Sequence, residues 1–253
     1  MFPSSVPVTE IALSNRHPSF LQRYLLRPFW RLCWRLGLAL MLLLTLLVLS
    51  LKVIDPPVWS WQVWRDWTRP AGYPDQQAHR WVDLDRIPLH LQLAVVAAED
   101  QRFPLHAGID LRAVRQAVDD ALAGEGLRGA STLTQQTAKN LFLWPGRDWA
   151  RKGLEVPLAL MLEGILGKAR ILELYLNIVE FAPGVYGVAA ASEYWYRQPV
   201  EQLDADQVAR LAAILPNPWR YSAQPASPHV RQRADWIRRQ MQQLGSDWIL
   251  QIE

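Results

Sequence analysis

The chain has 253 residues, half of them apolar, with 13 tryptophans, one cysteine and a formal charge of +3. That charge is unevenly spread: residues 1–52 hold five Arg, one Lys and one Glu, while the remainder carries 21 basic against 23 acidic residues. A slightly acidic main body argues against a nucleic-acid binder, and the lone Cys33 excludes an internal disulfide framework, so stability must come from an apolar core.

Residues 1–35 are polar, basic and interrupted by proline, and read as a loosely ordered tail. Leu36 to Leu51, LGLALMLLLTLLVLSL, is free of charge, and Val53-Ile54 extend the run past Lys52. A spanning helix needs ~20 mostly apolar residues, and a terminal lysine can snorkel, so residues 36–54 are expected to form a single transmembrane anchor. Arg16, Arg23, Arg27, Arg31 and Arg35 outnumber Lys52, Arg65 and Arg69 across the run. This bias sets the N-terminus in the cytoplasm and the remaining two hundred residues outside, the periplasm for an inner-membrane protein. A cleaved signal peptide is the alternative, but the leader is long and no A-x-A-like site follows.

Residues 55–81 are expected to form an irregular juxtamembrane connector, because prolines break both regular periods. Trp59, Trp61, Trp64 and Trp67 fall within it, four indoles in nine residues beside an anchor, which suits the headgroup layer; two or three can serve the core as well. Residues 82–253 form the main domain. Its patterns are helical, with helices expected at His90–Gln101, Asp110–Ala123, Ser131–Phe142, Trp149–Leu166, Ala169–Phe181, Val188–Tyr196, Asp204–Leu215 and Ser227–Leu244. No strand run is evident. Pro157 predicts a kink or a division in the fourth of these helices.

The first chemical candidate is Glu99, near the C-terminal end of an apolar helix. Burial and the negative helix end both disfavour its ionised form, so its basicity should rise towards that of a general base. A salt bridge to Arg102, three residues on, is the structural alternative. His106 has no second His or Cys at ligand spacing and is expected to be a hydrogen-bonding histidine, with no metal site. Next comes GASTLTQQTAKNLF, residues 129–142, where Ser131 is expected to cap a helix carrying Gln135, Gln136 and Lys139. Hydroxyls, amides and an ammonium at a helix N-terminus suit sugar hydroxyls and phosphate oxygens, although a capped polar face needs no ligand. The chain has four lysines, two of which, Lys139 and Lys152, lie in or beside this segment with Arg147 and Arg151. Intrahelical pairing with Glu155 is the plain account of Arg151 and Lys152. A cationic site near two carboxylates also fits an anionic leaving group such as pyrophosphate.

Five segments in order, AEDQRFPLHAGID, GASTLTQQTAKNLF, RKGLE, KARILELYLNIVEF and GVYGVAAASEYWY, resemble glycosyltransferase family 51. The likeness covers about Val82 to Trp219, with an Arg-rich helix beyond it. Trp195 stands where the family usually has Phe, and Pro157 where its helix normally carries no proline. The resemblance implies a mainly α, lysozyme-like glycosyltransferase domain with a smaller membrane-facing lobe. It also implies polymerisation of lipid II into β-1,4 glycan strands with inversion. The substrates would be lipid II and the growing strand, met at the membrane, with no nucleic acid and with cell-division or wall-synthesis proteins as further partners. Carried over by motif, Glu99 is the base, and Lys139, Arg147 and Lys152 neutralise the departing pyrophosphate. Ser131 and Gln136 contact the donor, and Glu155 positions the site or helps a divalent cation, Mg or Mn; no firm cofactor is implied. Leu105, Leu122, Leu127, Phe142, Leu143 and Trp144 are candidates for an apolar patch, with core packing as the other account. Neither S-x-x-K nor K-T-G occurs, so no transpeptidase is expected. A lysozyme-like hydrolase or lytic transglycosylase would also use Glu99, but leaves the cations without a role. A membrane scaffold would need neither.

Overall fold

The computed structural model describes residues 27–124, 129, 131–146 and 148–252. Arg147 and Leu127, both singled out above, lie outside the described residues. The chain divides between Leu46 and Leu47 into two units.

Helix α1 runs Arg27–Ser50, and its stretch Pro28–Ser50 is long and apolar enough to cross a membrane. It starts before the expected Leu36 because Phe29, Trp30, Leu32 and Trp34 carry the helical pattern between the arginines. It also stops before Ile54, in a turn where the Ser50 hydroxyl donates to Leu47 O at 2.7 Å and Ile54 N donates to Ser50 O at 2.9 Å.

The connector is not irregular throughout. Its prolines, Pro56 and Pro57 on one side and Pro70 and Pro74 on the other, flank a proline-free stretch that folds as α2 (Ser60–Thr68), ending at Arg69 in a left-handed conformation. Of its four tryptophans, Trp59 is buried against His79 and Tyr186, Trp61 is half-buried and Trp67 is exposed. Two of the four thus pack into the domain.

In the second unit, α3 (Leu89–Glu99) is buried continuously from Leu91 to Ala97, as expected of a helix apolar all round. It lies against α9 (Ala205–Ile214) and α10 (Pro228–Leu244). A second group is formed by α5 (Leu133–Phe142), which packs on α2, α6 (Trp149–Leu166) and α7 (Lys168–Ile178). Helix α7 is buried from Ile171 to Ile178 except at Glu173, and α8 (Gly187–Tyr196) packs beside it. Fully burying one of these leucines or isoleucines contributes ~2 kcal/mol, which is how a chain without disulfides holds together. Helix α4 (Leu111–Leu122) has only Ala117 buried, while α11 (Asp247–Leu250) is a short C-terminal turn that periodicity did not announce.

Three short strands, β1 (Ala78–His79), β2 (Glu180–Ala182) and β3 (Val185–Tyr186), form a sheet in the order β1-β3-β2, with β1 parallel and β2 antiparallel to β3. Runs of two and three residues are too short to show an alternating pattern. Gly187, which opens α8 at φ +77, is required there, since a Cβ would lie 2.6 Å from Asn177 O. The Asn177 side chain in turn accepts from Val82 N and donates to Val82 O, both at 2.9 Å, so it pairs with the backbone as a strand would.

Helix α6 passes Pro157 without division. The proline and Gly153, whose carbonyl loses its helical donor, are both exposed, so water can satisfy the freed acceptor.

Candidate active site

Glu99 is the last residue of α3, and the next residue organises the site around it. The Asp100 carboxylate accepts from Leu133 N at 2.9 Å and faces His106 Nε2 at 3.0 Å, so it pins the first turn of α5 to the end of α3. His106 is thus the hydrogen-bonding residue that its isolation suggested. Among the described residues no group of three His, Cys, Asp or Glu could hold a metal ion.

Helix α5 is capped by Thr132, not Ser131 as expected. The Thr132 hydroxyl accepts from Gln135 N and the Gln135 amide oxygen accepts from Thr132 N, both at 3.1 Å, a reciprocal capping box. With Leu133 N already held by Asp100, the helix starts at Leu133. Ser131 lies outside it, where its hydroxyl accepts from Lys152 Nζ at 3.0 Å. The cap leaves Gln135 buried, whereas Gln136 is turned towards Glu99.

Gln136 Nε2 donates to Glu99 Oε2 at 3.0 Å, and Gln136 Oε1 accepts from the Tyr175 hydroxyl of α7 at 3.1 Å. Arg233 of α10 lies 3.7 Å from Glu99 Oε1, an ion pair too long for a hydrogen bond. Among the described residues Oε1 has no hydrogen-bond partner. Burial raises the Glu99 pKa above the usual carboxylate value, and the opposing pulls of Gln136, Arg233 and Lys139 are smaller. Arg102 does not supply the alternative salt bridge, because its guanidinium is engaged by Asp110 at 2.9 Å.

Helix α6 delivers the second cluster. Asp148 caps it by accepting from Arg151 N at 2.8 Å, which sets Arg151, Lys152 and Glu155 within its first turns. Glu155 is 3 % exposed; one of its oxygens accepts from Arg151 Nη1 and the other from Lys152 Nζ at 2.7 Å. The intrahelical pairing is therefore real, and it does not disperse the cations: Lys152 also reaches Ser131, and through it the start of α5. Each Glu155 oxygen is thus engaged by a cation of its own helix.

Lys139 feels the charges of both clusters, Glu155, Arg151 and Lys152 on one helix and Glu99 on another. Its ammonium sits 4.7 Å above the centroid of the Trp61 ring. Burial lowers its pKa to about 8, more than the carboxylates raise it. Lys139, Gln136, Asn140, Arg151, Trp61, Arg65 and Trp219 share the wall of a cavity of about 550 Å³. The fold thus brings together Glu99 with Gln136, and Ser131 with Lys152 and Glu155, with Lys139 in the field of both. Tyr175, Arg233 and Trp61 were not anticipated; an arginine-rich helix and a tryptophan-rich connector were visible, but nothing local aimed them at Glu99 or Lys139. Of the apolar-patch candidates, Leu105 and Leu122 are exposed, Leu143 is buried, and Phe142 and Trp144 pack partly on the core.

Comparison with known proteins places the chain in a family. A family model described as Transglycosylase matches residues 68–242. A biosynthetic peptidoglycan transglycosylase of Shewanella amazonensis is 54% identical over 219 residues, covering 87% of this chain and 89% of the relative. Those of Aeromonas hydrophila subsp. hydrophila (50% over 214 residues, 83% of this chain and 91% of the relative) and Xanthomonas campestris pv. campestris (46% over 208 residues, 81% and 84%) bear the same description.

Proposed function

Since the chain belongs to the transglycosylase family, we propose how its residues perform the family's reaction. The protein is a peptidoglycan glycosyltransferase with a mainly helical, lysozyme-like domain, and it polymerises lipid II into β-1,4 glycan strands. Glu99 takes the proton from the acceptor 4-hydroxyl as that oxygen attacks the anomeric carbon of the growing strand. The bond from that carbon to the pyrophosphate oxygen breaks, and undecaprenyl pyrophosphate leaves with the electron pair. Attack from the face opposite the leaving group converts an α linkage to β, so one base suffices and no glycosyl-enzyme forms.

The observation that carries this reading is the Glu99 carboxylate: half-buried, raised in proton affinity, with Oε1 free of hydrogen bonds among the described residues and cations on the Lys139 side. Lys139 and Lys152 receive the pyrophosphate charge, and Arg147 is assigned the same role by motif. Glu155 holds Lys152 and Arg151 in place, and Ser131 fixes Lys152 further. Gln136 orients the base. The α1 segment anchors the protein in the inner membrane with its N-terminus in the cytoplasm, and the catalytic domain meets its lipid-linked substrates on the periplasmic side.

Incubation of detergent-solubilised full-length protein with labelled lipid II, followed by size separation, tests the assignment. Wild type should give lysozyme-sensitive polymer, and Glu99→Gln should lose roughly 10²–10⁴-fold in rate. Polymer from both proteins would remove Glu99 as the base; muropeptides in place of polymer would favour the hydrolase.

A further inference from the structure

Helix α2 stands almost wholly outside the Transglycosylase match, which starts at residue 68. Two of its side chains nevertheless wall the cavity that holds Lys139, Gln136 and Arg151. Trp61 turns its ring towards the Lys139 ammonium at 4.7 Å, and its Nε1 donates to Glu180 Oε2 at 3.3 Å. Arg65, one turn on, pairs with the same Glu180 oxygen at 3.4 Å, and its guanidinium lies 4.6 Å from the Trp219 centroid and 5.2 Å from that of Trp61. Glu180 is anchored in turn by Gly184 N at 3.3 Å. The indole is thus held in place at one edge while its face meets the lysine.

The other lysines of the domain are treated differently. Lys152 lies 2.7 Å from Glu155, and Lys168, although it also sits 4.3 Å from the Phe103 centroid, lies 2.7 Å from Glu163. Among the described residues Lys139 has no carboxylate within ion-pair distance, and an aromatic face takes its place. A carboxylate there would neutralise the ammonium and compete with any incoming anion. A ring quadrupole stabilises the cation without cancelling its charge.

We infer that Trp61 is a positioning residue for Lys139, holding the ammonium in the cavity with its charge free for the phosphate oxygens of the lipid-linked substrate. This rests on the reading of Lys139 as a pyrophosphate-binding cation. The charged groups around the ammonium are Glu155, Arg151 and Lys152 from α6 and Glu99 from α3, with Arg65 of α2 and Glu180 of β2 on the same cavity wall. In that enclosed setting burial disfavours the ammonium relative to water, so a supporting ring has a measurable effect on its protonation.

The test uses the full-length chain in detergent with two variants, Trp61→Leu and Trp61→Phe. The first readout is the pH midpoint for acylation of Lys139 by a small amine-reactive ester, resolved from the other lysines by peptide mass mapping. The midpoint is expected near 8 in the wild type. It should fall by about half a unit or more in Trp61→Leu and return most of the way in Trp61→Phe, which keeps a π face but not the indole donor. The second readout is polymerisation, where kcat/KM should drop roughly three- to tenfold in the Leu variant, with partial rescue by Phe. An unchanged midpoint in Trp61→Leu overturns the inference. Equal shifts in both variants overturn it too, since they assign the effect to the lost Glu180 hydrogen bond. Acylation requires no turnover, so this readout still decides the role of Trp61 if no polymer forms and the reading of the reaction falls.

Discussion

Glu99 and Glu155 are both withdrawn from solvent, yet their surroundings are opposite. Glu155 has a cation on each oxygen, Arg151 and Lys152, from its own helix. Glu99 has one neutral amide, one guanidinium at 3.7 Å and one oxygen free of hydrogen bonds among the described residues. The paired carboxylate has its charge balanced by two cations, so it serves as the frame on which they are held. The undersaturated one is uncomfortable as an anion and gains by taking a proton, which is what a general base requires. Two identical side chains are thus set to different tasks by what the fold places around them.

The contrast breaks most plainly in stability. Glu155→Gln strands two cations and should cost about 3–5 kcal/mol, as a broken buried pair does, whereas Glu99→Gln should leave the melting midpoint unchanged or raise it. The pH dependence follows from the raised Glu99 pKa. Its stabilising protonated form is fully present below the unfolded pKa and is lost as pH rises through the folded one, a loss that the amide does not suffer. Urea denaturation of the two variants beside wild type decides the matter, and equal losses would erase the distinction.

Lys152→Ala comes next. It removes a cation from the leaving-group side and frees one Glu155 oxygen, and is expected to lower kcat by about a hundredfold, ~3 kcal/mol in barrier, in the lipid II assay. A wild-type rate would mean that Glu155 organises no working cation.

The pH profile of kcat/KM sharpens the same contrast. Glu99 must be ionised, so activity falls as pH drops through a pKa raised above 4.5; Lys139 must be protonated, so activity falls as pH climbs past about 8. Lys139→Arg should remove the alkaline limb, since a guanidinium stays charged. An alkaline limb that persists in that variant would exclude Lys139 as its source.

The smallest effect belongs to Tyr175→Phe. It deprives Gln136 Oε1 of its donor and should cost ~1 kcal/mol in stability with a modest rate loss, as the amide loosens against Glu99. No change in either would detach Tyr175 from the base.

Much of this was legible in the chain. The bounds of α6 follow from Asp148 and the apolar period, and the exposed side of Pro157 explains why the helix survives it. The raised basicity of Glu99 follows from its place at the end of an apolar helix. The cap of α5 was displaced by one residue because its register is set by Asp100, on another helix, and not by local hydroxyl preference. Tyr175 and Arg233 stayed hidden for a related reason. Periodicity tells which face of α7 or α10 turns inward, but not which inward faces meet. Helix α2 was missed because prolines on both sides of a segment were allowed to speak for its interior.

Arg170, near the start of α7, reaches back to the chain just beyond α1. Its Nε donates to Leu51 O at 2.7 Å, and its Nη2 to Ile54 O at 3.1 Å and to Asp55 at 2.8 Å. Further along the same helix, Tyr175 touches Gln136, and Gln136 touches Glu99. In mechanical terms one buried rod is braced at both ends: a single guanidinium fastens it to residues 51–55, and a single hydroxyl fastens it to the amide beside the base.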